Sequence, residues 1–150
     1  MPQSLSQVIL HIVFSTKHRE PWIDGEIRPR LHAYLATVGR DNGSIVYRVG
    51  GVADHVHIVA TLPRTMTQAD LLEEIKKHSS RWAKGIAPQY AGFTWQRGYG
   101  AFSVGHRELD AVIHYVDNQE EHHQHATFQE EYRRVLAHHD VEFDERYVWD

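Results

Sequence analysis

An α+β fold, a four-stranded antiparallel sheet with helices on one face, is predicted by three observations. Short β-rich apolar runs alternate with amphipathic stretches in the order β-α-β-β-α-β. A glycine pair separates the second and third strands as in a hairpin, and two more helical stretches follow the fourth strand. At 150 residues and 41% hydrophobic, the chain fits one domain, residues 1–150, around one core. It has no cysteine, which excludes disulfides, thiolate metal sites and a Cys nucleophile. Met1-Pro2-Gln3-Ser4-Leu5-Ser6 lacks the basic region and apolar run of a signal peptide, and no apolar stretch reaches the ~20 residues that span a bilayer. A soluble cytoplasmic protein without a membrane partner is expected.

Taken in order, residues 8–15 (Val8 to Ser15) form an apolar, β-branched run that reads as a well-buried first strand. A helix follows from about Asp24 to Val38, with Ile27, Leu31, Tyr34, Leu35 and Val38 at helical spacing. Asp24 is its candidate cap. Pro29 costs an internal hydrogen bond, which moves the expected start toward Ile27. Ser44–Val49 reads as the second strand, Gly50-Gly51 as a turn, and residues 55–62 as the third strand, ended by Pro63. Thr67-Gln68-Ala69-Asp70 resembles a capping box and opens a helix to about Lys84. Residues 92–105 form a glycine- and aromatic-rich loop leading into a strand at about 100–104. A third helix is expected over about Glu108–His122 from the stripe Leu109, Val112, Ile113, Val116, and a fourth from Thr127 to about His138, before a short tail. This order matches the ferredoxin-like plan, with one face of the sheet free.

The chemistry centres on Asp54-His55-Val56-His57-Ile58-Val59. Alternate strand residues point the same way, about 6.6 Å apart, so His55 and His57 present their imidazoles side by side while Val56 and Ile58 face the core. Two ring nitrogens can then share a metal, although His-x-His alone is unspecific and a third ligand is needed. On the third helix Tyr115 and Gln119 lie four apart, hence on one face, at the margin of the apolar stripe. A tyrosine hydroxyl there can serve as a nucleophile and a glutamine carbonyl as a hard ligand, or both can be ordinary packing and solvated residues.

Net charge is −4, but its distribution is uneven. Residues 64–107 carry seven Lys/Arg against three Asp/Glu, and residues 108–150 three against twelve. The basic middle permits an anion-binding face made of Lys76, Lys77, Arg81, Lys84 and Arg97, with a solvated helix face as the alternative. Trp82, Trp95, Tyr99 and Phe102 are candidates either to stack bases or to fill core. The late runs His122-His123-Gln124-His125 and His138-His139 read as solvated helix ends rather than a second metal site.

Together these motifs resemble the single-tyrosine HUH transposases of bacterial insertion sequences, the IS-two-hundred-like family, and the related REP-associated tyrosine transposases. The likeness rests on His55-Val56-His57, Tyr115-Val116-Asp117-Asn118-Gln119 and Trp95 to Ser103, with Ser79-Ser80-Arg81-Trp82 and Asp144-Glu145-Arg146-Tyr147 in support. It implies a ferredoxin-like domain with a divalent metal, Mg²⁺ or Mn²⁺, on His55, His57 and Gln119. Tyr115 would attack single-stranded DNA to leave a 5′-phosphotyrosine and a free 3′-OH. It also implies a homodimer acting on hairpin-bearing ends, in which the tyrosine helix of one subunit can complete the histidine site of the other. The acidic C-terminal third departs from the basic tail common in REP-associated members.

Other readings fit less well. A histidine-triad hydrolase needs a third histidine where Val59 stands, and a two-histidine phosphodiesterase needs Thr or Ser two residues after each histidine. A non-catalytic DNA-hairpin-binding module descended from a transposase is the remaining alternative.

Overall fold

The computed structural model of the protein describes residues 2–150. Four strands, β1 (Ile9–Ser15), β2 (Val46–Val52), β3 (His55–Thr61) and β4 (Gly100–Val104), form one antiparallel sheet in the order β2-β3-β1-β4. The two central strands are buried at every position, which explains their near-continuous apolar sequences. In the β1–β3 register Ser15 faces His55, Val13 faces His57 and His11 faces Val59.

Helices α1 (Arg28–Asp41) and α2 (Gln68–Ile86) cover one face. There Leu10, Ile12 and Phe14 of β1 and Val56, Ile58 and Ala60 of β3 meet Leu31 and Leu35 of α1 and Leu71, Leu72 and Ile75 of α2 in the main core. Burying side chains of this size stabilises by roughly 1.5–3 kcal/mol each before chain entropy is counted. Pro29 lies in the first turn of α1, where its missing N–H costs nothing, and the Asp24 carboxylate accepts from the N–H groups of Glu26 and Ile27 just before the helix. Thr67 caps α2 by accepting from the Asp70 N–H at 3.1 Å.

The second face, expected to be free, is covered. Helices α3 (Leu109–Asp117), α4 (Gln119–His122) and α5 (Phe128–His138) lie on it. Val116 packs with Ile9 and Val59, while Phe128, Tyr132 and Leu136 pack with Val13 and Phe102. The face carries Ile9, Val13 and Val59, too apolar to be left in water, and the additional helices bury it.

Two further expectations change. Gly50 and Gly51 belong to β2, and the turn falls at Ala53-Asp54. The glycines are there for space: a Cβ on Gly50 would lie 2.6 Å from the Val116 side chain and carbonyl, and one on Gly51, at φ +145°, 2.3 Å from the His55 carbonyl. The helix expected over 108–122 is broken at Asn118, whose φ and ψ of −99° and 23° leave the helical region. Its side-chain amide donates back to the His114 carbonyl at 2.9 Å, closing α3 locally. No helix among the described residues is long and apolar enough to cross a membrane.

Candidate functional site

The period-two alternation of β3 turns His55 and His57 to the α3–α5 side of the sheet, with both side chains fully buried. Their rings lie 5.1 Å apart, edge to face. Each ring is anchored through Nδ1: His55 by the Asp54 carboxylate at 2.7 Å, His57 by Nε2 of His11 at 2.8 Å. Both Nε2 atoms therefore point to the same place. This is how proteins orient imidazoles toward a metal, with the second nitrogen held by an outer partner.

What stands at that place is Glu131, a residue that the sequence patterns did not single out. Its Oε1 is 3.0 Å from Nε2 of His57, 3.1 Å from Nε2 of His55 and 3.0 Å from Nε2 of His123. Its Oε2 accepts from the Tyr115 hydroxyl in a short hydrogen bond and from the Gln119 amide at 3.0 Å. The Gln119 carbonyl oxygen lies 3.0 Å from His55 Nε2. The structure thus brings Tyr115, Gln119, His55 and His57 together, although the helix break puts Tyr115 at the end of α3 and Gln119 at the start of α4. Glu131 is the common partner.

His123 corrects the expectation for the late histidines. Its Nδ1–H donates to the Ala126 carbonyl at 2.7 Å and its Nε2 faces Glu131, while its ring contacts His55 at 4.5 Å. It belongs to the site. His138 and His139 are exposed as expected, although His139 stacks on Phe102. Both missed residues left a trace: Glu131 interrupts the apolar stripe Phe128, Tyr132, Val135, Leu136, and His123 follows Gln119 by four, one helical turn further along the chain.

The electrostatics follow from burial. Burial would push His55 down, but the hydrogen bonds it donates to the Asp54 and Glu131 carboxylates outweigh it and raise its pKa to about 9. Burial dominates at His57, which is lowered, and at His11, lowered to about 3 with the neighbouring His57 adding to the effect. Burial alone would raise Glu131, but hydrogen bonds from three imidazoles hold it far below the usual carboxylate range, so it is anionic. Burial and the Glu131 charge push Tyr115 well above its ordinary value, so its phenol is protonated.

The donor set fits a divalent ion. His55, His57 and Glu131 each offer a buried ligand atom, all within 4.8 Å of one another. Neighbouring ligands of an octahedral ion bonded at 2.0–2.1 Å sit about 3 Å apart, which is the spacing from Glu131 Oε1 to the imidazole nitrogens. Two imidazoles with carboxylate and amide oxygens, and no thiolate, form a donor set that can hold a divalent cation.

The expected DNA-contacting cations lie on the other side of the sheet. Lys77, Arg81 and Lys84 are exposed on α2 and Arg97 is exposed on the loop before β4. Lys77, Lys84 and Arg97 border a shallow recess of about 440 Å³. Lys77 is paired with Glu74 at 3.1 Å. The Lys76 ammonium is taken up by the carbonyls of Gln96, Arg97 and Gly98, and burial lowers its pKa to about 8. Trp95 is core, its indole N–H donating to Ser79 at 2.9 Å, and Phe102 is core as well. Trp82 stacks on Tyr34 at 5.0 Å. The Gln96 amide joins this loop to the end of β1, through Ser15, next to His55.

The family described as "Transposase IS200 like" matches residues 4–119. The chain is 23% identical over 118 residues to the ISDra2 transposase TnpA of Deinococcus radiodurans, covering 75% of this chain and 84% of that one. Among solved structures, a candidate transposase from Deinococcus radiodurans R1 superposes with a TM-score of 0.61 at 20% identity, covering 79% of this chain and 98% of that one. A REP-associated tyrosine transposase bound to a REP hairpin superposes with a TM-score of 0.62 at 15% identity, covering 96% and 90%. These two show the fold, which is the expected ferredoxin-like arrangement, and the match over residues 4–119 shows that the chain belongs to the IS200-like transposase family.

Proposed function

We propose that the protein is a metal-dependent single-stranded DNA endonuclease and strand transferase that uses Tyr115 as its nucleophile on hairpin-bearing ends. The observation that carries this reading is the meeting of the Tyr115 hydroxyl with His55, His57 and Gln119 through the single carboxylate of Glu131. The REP hairpin held by the REP-associated tyrosine transposase of the same fold supports a substrate of that class.

His55, His57 and Gln119, together with Glu131, would hold the metal, with His123 beside them, and a bound Mg²⁺ or Mn²⁺ would supply Lewis-acid polarisation of the scissile phosphate. The Tyr115 oxygen attacks phosphorus, its bond to phosphorus forms as the bond to the 3′-oxygen breaks, and the 3′-oxygen departs with the bonding pair and takes a proton from water to become the free 3′-hydroxyl. The phenolic proton has an acceptor in place at Glu131 Oε2. A phosphodiester becomes a phosphotyrosine of similar energy, so rejoining by the reverse attack needs no nucleotide cofactor. The surrounding imidazoles and Gln119 fix the carboxylate, and thereby the phenol, in one orientation. Lys77, Arg81, Lys84 and Arg97 contribute phosphate contacts along the flank, and Lys76 positions the loop that carries Arg97. A homodimer remains part of the reading on the family resemblance. The complete donor set of one chain predicts that the tyrosine can also act on its own subunit's site.

The test is covalent capture on a denaturing gel, with hairpins from DNA flanking the gene, labelled on either side of the cut. Wild type should give a shifted band carrying the 3′-side label with Mg²⁺ or Mn²⁺, none with EDTA, and none with Tyr115→Phe. Linkage by Tyr115→Phe would overturn the nucleophile assignment. Hairpin binding without linkage by wild type would favour a non-catalytic binding module.

A further inference from the structure

The helical layer over the β1–β4 side of the sheet does not close. Between α3 and α5, above the end of β4, runs a cleft of about 820 Å³, in the size range of small-molecule sites. Its apolar lining comes from Val104, Ala111, Val112 and Val135, its polar lining includes His11, His122 and Glu108, and Tyr115 and Glu131 stand at its inner end. At the rim on α5 sits Arg134, and just past the end of that helix His139, whose imidazole is stacked on Phe102 with centroids 4.6 Å apart. Arg133 next door is engaged by Glu145, whereas Arg134 faces the cleft.

We propose that this cleft is a base-binding subsite for the unpaired nucleotide immediately 3′ of the cut, the one whose 5′-phosphate becomes joined to Tyr115. The inference rests on the nucleophilic role of Tyr115 argued above and specifies which part of the substrate the protein holds beside it. In-line displacement puts the departing 3′-oxygen opposite the attacking phenol, so the 5′ fragment is directed away from Tyr115. The nucleotide that stays on phosphorus leaves through the 5′-oxygen, which is equatorial at that moment, and is therefore carried alongside the tyrosine. The cleft begins there. Its apolar walls suit the two faces of a base, the imidazole of His139 offers a stacking surface, and Arg134 at the mouth complements the next phosphate. A base can lie between the cleft walls only when it has left its pairing partner, so the subsite takes an unpaired base.

The test is single-turnover covalent capture with Mn²⁺, after the cut has been mapped. An intact hairpin is compared with one abasic at the first position 3′ of the cut and with one abasic at the third. With wild type, the first-position abasic substrate should be captured at least ~10-fold more slowly, and the third-position one within about twofold of intact. Ala111→Trp fills the cleft from an exposed helix position, so it displaces no core atom. It should slow intact substrate to the abasic rate and leave the abasic rate within about twofold. Arg134→Ala should weaken capture of the intact strand without touching the core. Equal capture of intact and first-position abasic DNA by wild type would overturn the subsite, as would unchanged discrimination by Ala111→Trp. No capture of any substrate by wild type would overturn the tyrosine chemistry itself, and the subsite with it, so the two failures are distinguishable.

Discussion

At the scale of single residues, Glu131 is the group on which the others depend. One oxygen receives three imidazoles and the other receives the phenol and the amide, so removing the carboxylate leaves five polar groups without their partner. Glu131→Ala should lower stability by roughly 3–5 kcal/mol, read from urea unfolding midpoints, because buried partners of a lost charge remain behind. Glu131→Gln, similar in shape, should cost less but lower Mn²⁺ affinity at least ~10-fold in a calorimetric titration. Unchanged affinity would remove Glu131 from the metal site. His32 on α1 gives a pH prediction away from the site. Burial, assisted by Arg28, lowers its pKa from 6.5 to about 4, and its buried Nε2 has no hydrogen-bond partner among the described residues. Between those values the unfolded chain binds a proton that the folded chain does not, so stability falls as pH drops from 6.5 to 4 and is unaffected by His32 above that window. The loss is on the order of 2–3 kcal/mol, and His32→Gln should flatten the profile by that amount in urea melts at about pH 7 and 4.5. The His55/His57 pair is legible in the sequence because strand alternation is strict. Glu131 is not, because a lone carboxylate in an apolar stripe carries no sign of what it will meet.

At the scale of elements, the glycines of β2 show why a correct residue pattern can yield a wrong boundary. A Gly-Gly pair reads as a turn, since both turns and close approaches need the missing side chain. Here Gly50 admits the last turn of α3, so the tyrosine helix sits as near the sheet as it does only because residue 50 has no Cβ. Gly50→Ala should cost ~1–3 kcal/mol and slow covalent capture as well. Val116→Ala should not rescue it, because the Val116 carbonyl is as close as its side chain. Rescue would show that the side chain alone sets the spacing. The break at Asn118 is invisible for a related reason: the apolar stripe ends at Val116, and the polar residues that follow are compatible with helix, turn or loop.

At the scale of the whole molecule, the ferredoxin-like order was legible from the alternation of strand and helix patterns, and so in retrospect was the covered second face. A first strand apolar at nearly every position has no solvent side. The acidic C-terminal third is partly compensated within the fold: Glu131 by imidazoles, Glu145 by Arg133, Asp117 by Arg48 and Glu120 by Arg28. The residual cations on the α2 side set a measurable quantity. Neutralising Lys77, Arg81 or Lys84 should each lower the slope of log Kd against log salt by about 0.7 for single-stranded DNA. Lys76→Met should lower the melting temperature, because its ammonium ties three loop carbonyls. An unchanged slope in the triple variant would place the DNA path elsewhere.

The register shift between Val46 and Arg48 has a bearing on behaviour in concentrated solution. β2 is an outer strand of the sheet, and an outer strand offers unpaired backbone groups to any extended chain that drifts against it. The irregularity near one end and the positive φ of Gly51 near the other bend that row of donors and acceptors out of line, leaving little straight template between them. Self-association by strand addition along this border is thereby discouraged, and the same two irregularities that fit β2 to its neighbours also guard the chain against amyloid-like stacking.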